Sequence, residues 1–130
     1  MTRRIRPSRS LSKEKKYLIF EVLPKYLYSR EKLKDETREI ILEIGFGDGK
    51  HFVHQAKLKP RALVFGIEVF LNGIASALKL ALKENITNFL LFPDNVGYIL
   101  NDIPNSSLST IYLLFPDPWK NKKRRTFDKD

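Results

Sequence analysis

The stretch Ile40-Ile41-Leu42-Glu43-Ile44-Gly45-Phe46-Gly47-Asp48-Gly49 decides the fold. Its first five residues are an apolar run interrupted by one acid, short enough to suit a strand buried on both faces. The run passes directly into glycines at alternate positions, which lets the chain turn sharply and leaves room for a ligand to approach the backbone. Residues 50–57 then place Phe52, Val53 and Ala56 on one side of a predicted helix. Buried strand, glycine turn and helix in this order open a parallel α/β sheet.

Working outward, residues 62–68 (Ala62-Leu63-Val64-Phe65-Gly66-Ile67-Glu68) read as a second strand, followed by Leu71, Ile74, Ala75, Leu78 and Leu82 at helical spacing. A third strand is predicted over 88–92, a helix over 96–101 and a fourth strand over 110–115. Strand and helix alternate throughout, so the expected architecture is a Rossmann-like, doubly wound, mostly parallel α/β sheet with about four strands present.

Upstream, residues 1–16 carry Arg3, Arg4, Arg6, Arg9, Lys13, Lys15 and Lys16 against the single acid Glu14. This is either a phosphate-tracking arm or a solvated tail. From Ser12 the pattern Tyr17, Phe20, Leu23, Leu27 suits a short amphipathic helix that Pro24 bends or ends, and residues 30–39 read as a charged linker. The expected division is therefore 1–39 (basic arm, short helix and linker) and 40–130 (ligand-binding domain). Because the chain stops after strand four and a basic loop, where another covering helix is expected, it reads as a fragment lacking its C-terminal part.

The composition narrows the partners. With 24 Lys+Arg against 15 Asp+Glu the formal net charge is +9, which favours a polyanion such as nucleic acid. No cysteine is present, removing disulfides, thiolate zinc sites and cysteine nucleophiles, and the cytoplasm is the expected compartment. The apolar runs are short and interrupted, so no membrane span is expected. His51 and His54 lack ligand partners at a convincing spacing; no metal is expected, and both read as loop or helix-surface residues.

Four constellations carry the chemistry. The loop Gly45-Phe46-Gly47-Asp48-Gly49 has the spacing G-x-G-x-G, whereas a pyrophosphate cradle prefers G-x-G-x-x-G. The flanking acids Glu43 and Asp48 repel a pyrophosphate and attract an ammonium or sulfonium group, so the loop leans towards S-adenosylmethionine, with a plain strand-to-helix turn as the alternative. Glu68 closes strand two, nineteen residues after Gly49, where a carboxylate can accept hydrogen bonds from both ribose hydroxyls. Asp94 and Asn95, after strand three, suit adenine recognition or a helix N-cap. Finally, Phe115-Pro116-Asp117-Pro118-Trp119 is followed by Lys120, Lys122, Lys123, Arg124 and Arg125. Two prolines stiffen a carboxylate beside an aromatic plane, an arrangement that can hold a guanine edge and face while the basic run holds phosphates.

The Glu43–Gly49 segment, Gly66-Ile67-Glu68-Val69 and above all Phe115–Trp119 with its basic run resemble the bacterial tRNA (guanine-N7)-methyltransferase family over residues 40–125. The resemblance implies a Rossmann-like fold, S-adenosylmethionine as donor and N7 of the variable-loop guanine of tRNA as acceptor. It places Glu43, Gly45, Gly47, Glu68 and Asp94 at cofactor-binding positions with Asn95 adjacent, and Asp117 at the acid that serves both cofactor and catalysis. Trp119 and the cations after it fall on the tRNA side. The basic loop is a few residues shorter than the family's usual one, and the Thr-containing substrate motif is expected beyond Asp130. The competing readings are a methyltransferase acting on an exocyclic amine of DNA or RNA, since Asp-Pro-Trp resembles an Asp-Pro-Pro-Tyr motif, and a fragment that binds RNA or cofactor without turnover.

Overall fold

The computed structural model describes residues 11–103, 108–113 and 125–128. Five strands form one sheet in the order β3-β2-β1-β4-β5: β1 (Ile40–Ile44), β2 (Leu63–Ile67), β3 (Phe89–Phe92) and β4 (Leu108–Leu113) run parallel, and β5 (Arg125–Asp128) returns antiparallel along β4. The doubly wound parallel sheet expected from the alternation is present. β4 begins two residues earlier than predicted, with an irregularity against Ile40 and Ile41, and Phe115 lies outside the described residues.

Side-chain alternation along the strands separates two apolar layers. Ile41, Val64, Phe89 and Leu91 pack on one face with α4 (Lys50–Leu58) and α5 (Leu71–Lys83), through Phe52, Val53, Ala56, Ile74, Ala75 and Leu78. Ile40, Leu42, Leu63, Phe65, Ile67 and Leu90 pack on the other with Leu33, Ile99 and Ile103. Burial on both faces is why β1 and β2 are nearly continuous apolar runs. Gly66 is required by packing: a Cβ there would lie 2.5 Å from Phe52 Cε1 and 2.9 Å from Phe46 Cδ2, so only glycine lets that stacked pair, 5.0 Å apart, lie on the strand.

Four local expectations change. The first helix is α1 (Lys13–Tyr17), continued by a π-helical turn over Leu18–Val22 and then by α2 (Leu23–Tyr26). In the π-helical turn the Leu23 N–H reaches Leu18 O, five residues back, and Pro24 stands in the first turn of α2, where a missing N–H is tolerated. Leu18, Ile19, Val22 and Leu23 are buried, while Tyr17 (59% exposed) and Phe20 (62%) point outward. Residues 30–39 contain α3 (Arg30–Lys34), capped by Ser29 and anchored by the fully buried Leu33. The predicted helix over 96–101 is two 3-10 turns, Val96–Tyr98 and Leu100–Asp102. Residues 125–128 are an edge strand, not the end of a loop.

The N-terminal segment is tied down on both layers. Tyr26 stacks on Phe89 at 4.3 Å, and Tyr28 N donates to Leu91 O along the open edge of β3. Tyr28 also stacks on Phe65 at 5.2 Å and donates its hydroxyl to Asp102 Oδ2 at 2.6 Å. Among the described residues no helix is long and apolar enough to cross a membrane.

Candidate functional site

In this strand order the chain leaves two neighbouring strands in opposite directions, from β1 to β2 on one side and from β4 to β5 on the other. The carboxyl ends of the strands at such a switch point form the natural ligand crevice of an open α/β sheet. The glycine loop lies there. Gly45, Gly47 and Gly49 all have positive φ (74°, 66° and 87°), a conformation that L side chains rarely adopt. The alternate spacing thus follows from three left-handed residues in one turn. Gly45 N donates to Ile67 O at 2.7 Å, starting the loop against β2, and Gly49 is the N-cap of α4. Around Gly47 a Cβ would meet nothing within 4 Å, so its backbone faces open space.

Glu68 holds the apex of the loop. It is 5% exposed; Gly47 N donates to its Oε1 at 2.8 Å and Phe70 N to its Oε2 at 3.1 Å. Beside it a cleft of about 290 Å³ is lined by Gly47, Asp48, Glu68, Phe70, Asn72, Gly73 and Ser76. Among the described residues the lining includes two carboxylates and no basic side chain, a composition suited to a cationic nucleoside and unsuited to a pyrophosphate. Phe70, two-thirds exposed, adds an aromatic face at the rim. From the N-terminal segment, Lys15 Nζ donates to Asn72 Oδ1 at 3.2 Å and Lys79 Nζ to Glu14 Oε1 at 3.1 Å, bringing α1 up to the cleft along α5.

The other expected site residues are distributed around this cleft. Glu43 is fully buried behind the loop, where His51 Nδ1 lies 2.7 Å from its Oε2. His51 is accordingly not the loop or surface histidine read from the sequence: the first turn of α4 directs it inward, leaving its side chain 12% exposed. Asp94 follows β3 and is also buried; Asn95 N donates to its Oδ1 at 2.7 Å. Asn95 itself is exposed and accepts from Gly97 N at 2.7 Å, capping the first 3-10 turn. Neither lines the cleft. Asp117, Trp119, Lys120, Lys122, Lys123 and Arg124 lie outside the described residues. β4 delivers the chain towards them at Leu113, paired with Ile44 at the same carboxyl edge, and Arg125 opens β5 opposite Leu113.

Sequence reading did not find Phe70, Asn72, Gly73 and Ser76 as cleft residues. The available signal was Gly73, an isolated glycine at the start of an otherwise regular helical pattern, which marks a close approach of backbone.

Comparison with known proteins gives the same picture. The family model described as "Putative methyltransferase" matches residues 37–129. A "Bifunctional methyltransferase" of Rickettsia felis is 59% identical over 128 residues, covering 96% of this chain and 24% of that protein. A tRNA (guanine-N(7)-)-methyltransferase of Neorickettsia sennetsu is 38% identical over 109 residues, covering 82% of this chain and 50% of that protein. Among solved structures, a precorrin-6y C5,15-methyltransferase from Geobacter metallireducens shares the fold with a TM-score of 0.51 at 16% identity, over 68% of this chain and 59% of that one. The chain spans about a quarter of the length of the Rickettsia relative and half that of the Neorickettsia one.

Proposed function

This chain belongs to that methyltransferase family, which includes the tRNA (guanine-N7)-methyltransferases, and we propose that it forms the donor-binding part of an enzyme that methylates guanine N7 in tRNA with S-adenosylmethionine. The observation that carries this reading is the cleft at the switch point, where the left-handed Gly47 and the strand-end Glu68 meet with no basic side chain among the described lining residues.

The donor supplies an electrophilic methyl group on a sulfonium sulfur. Glu68, already oriented by the N–H groups of Gly47 and Phe70, has lone pairs left for ribose hydroxyls. Gly45 and Gly47 present backbone to the donor without Cβ atoms, while Glu43 and Asp48 favour its positive charge. Asp94 and the adjacent Asn95 serve the adenine end. Guanine N7 presents a free lone pair, so no general base has to create the nucleophile and positioning dominates. Asp117 orients the guanine and stabilises the cationic N7-methylguanine as it forms. Trp119 stacks on the base, and Lys120, Lys122, Lys123, Arg124, Arg125 and the basic arm of residues 1–16 hold phosphates, in a cytoplasmic setting where tRNA is available.

Nucleoside analysis of tRNA incubated with the chain and labelled donor tests this directly. 7-Methylguanosine is the expected product. An N-methylated exocyclic amine would transfer the reading to that class of acceptor, and donor binding without product, in the longer protein as well, would reduce it to a binding module.

A further inference from the structure

Glu43 and His51 close the base of the glycine loop from opposite ends. Glu43 is the penultimate residue of β1, His51 lies in the first turn of α4, and the loop with its three left-handed glycines lies between them. The side chains meet at 2.7 Å between Nδ1 and Oε2, with the carboxylate fully buried. The imidazole is held on two further sides, edge-on to Tyr112 at 4.9 Å and with its Nε2 3.4 Å from Gln55 Nε2. In the sheet Glu43 stands between Gly66 and Tyr112, at the strand position nearest the loop on the α4 side.

Stability alone is a poor reason for such a pair. Desolvating ionisable groups costs several kcal/mol per ion, and well-packed apolar residues of similar volume are commonly as stable or more so. What apolar packing would not supply is a directional bond across the loop. Glu68 already fixes the loop at its apex through Gly47 N, and the Glu43–His51 bond fixes it at its base. With both ties made, the left-handed glycines have little freedom left, and the loop is held in shape before any ligand arrives.

We propose that His51 is a positioning residue for the methyl-donor site, acting through Glu43 to hold the glycine loop in its binding conformation. This rests on the donor-site reading above. His51→Asn, whose amide nitrogen can stand where Nδ1 does, retains the tie; His51→Leu removes it, and His51→Gln carries its amide to the Nε2 position instead.

The test uses the 130-residue chain, with two readouts. Without ligand, the backbone amide resonances of Gly45, Gly47 and Gly49 are expected to shift or broaden in His51→Leu and to stay near wild type in His51→Asn. Calorimetry with S-adenosylmethionine is expected to show affinity reduced tenfold or more in His51→Leu and within twofold of wild type in His51→Asn. If His51→Leu fails to fold, Gln and Asn decide, with Gln expected to be the weaker. Unchanged glycine resonances and affinity in a folded His51→Leu chain, or equal behaviour of Asn and Gln, would overturn the inference whatever the melting temperatures. A wild-type chain that binds no donor would count against the donor site itself, and the glycine resonances would still decide the tie.

Discussion

Gly73, in the first turn of α5, stands against the carbonyl oxygen of Gly47 so closely that a Cβ on residue 73 would overlap it. The helix thus presses on the glycine loop through backbone alone. Alanine is ordinarily the better helix residue by about 1 kcal/mol, but here its methyl meets a backbone atom that cannot rotate away. Overpacking of this kind costs about 1–3 kcal/mol. Gly73→Ala is therefore expected to lower thermal stability and to weaken donor binding together, measured by melting and calorimetry. A variant more stable than wild type with unaltered affinity would show that the loop yields without consequence.

Glu68→Ala removes the acceptor of Gly47 N and Phe70 N as well as the proposed ribose contacts. Loss of donor affinity by about 1.5–3 kcal/mol is expected, the scale for hydrogen bonds to a charged acceptor. Glu68→Gln keeps one oxygen and should fall between the two. If a folded alanine variant binds the donor like wild type, Glu68 has no part in the site.

Tyr28 gives an alkaline test of the fold. Burial first, then the hydrogen bond and charge of Asp102, push its hydroxyl well above the ordinary value of 10.0. A raised pKa means that the neutral hydroxyl is favoured by folding, so its contribution is complete below about pH 10 and declines as the pH rises towards the raised value. Tyr28→Phe should cost about 1 kcal/mol at neutral pH. The gap between wild type and variant should narrow above about pH 10; melting curves across that range, with a gap that instead widens, would contradict the assignment.

Asp117→Asn removes charge while keeping size. In a chain competent for turnover, a roughly hundredfold or greater loss in single-turnover rate is expected, the scale for one preorganised electrostatic contact. Donor and tRNA affinities should be measured alongside, to separate binding from chemistry. Near-normal methylation by a folded variant would leave Asp117 as a turn residue.

What the sequence by itself determined was whatever depends on neighbours along the chain. The run from Ile40 to Ile44, the alternate glycines and the helical spacing from Leu71 to Leu78 are local patterns, and they suffice for the parallel α/β order and for placing Glu68 at a strand end. The tertiary structure decided what depends on distant partners. Leu18, Ile19, Val22 and Leu23, not Tyr17 and Phe20, form the inner face of the first helix; both sets recur at helical spacing, and packing against the core chooses between them. Leu33 is buried among charged neighbours because the opposite face of the sheet needs covering there. Residues 125–128 become a strand only because β4 offers a free edge, four residues being too few to show a period. His51 looked like any histidine near a helix start; it meets Glu43 because three left-handed glycines fold the chain back by the amount that brings the first turn of α4 over the end of β1.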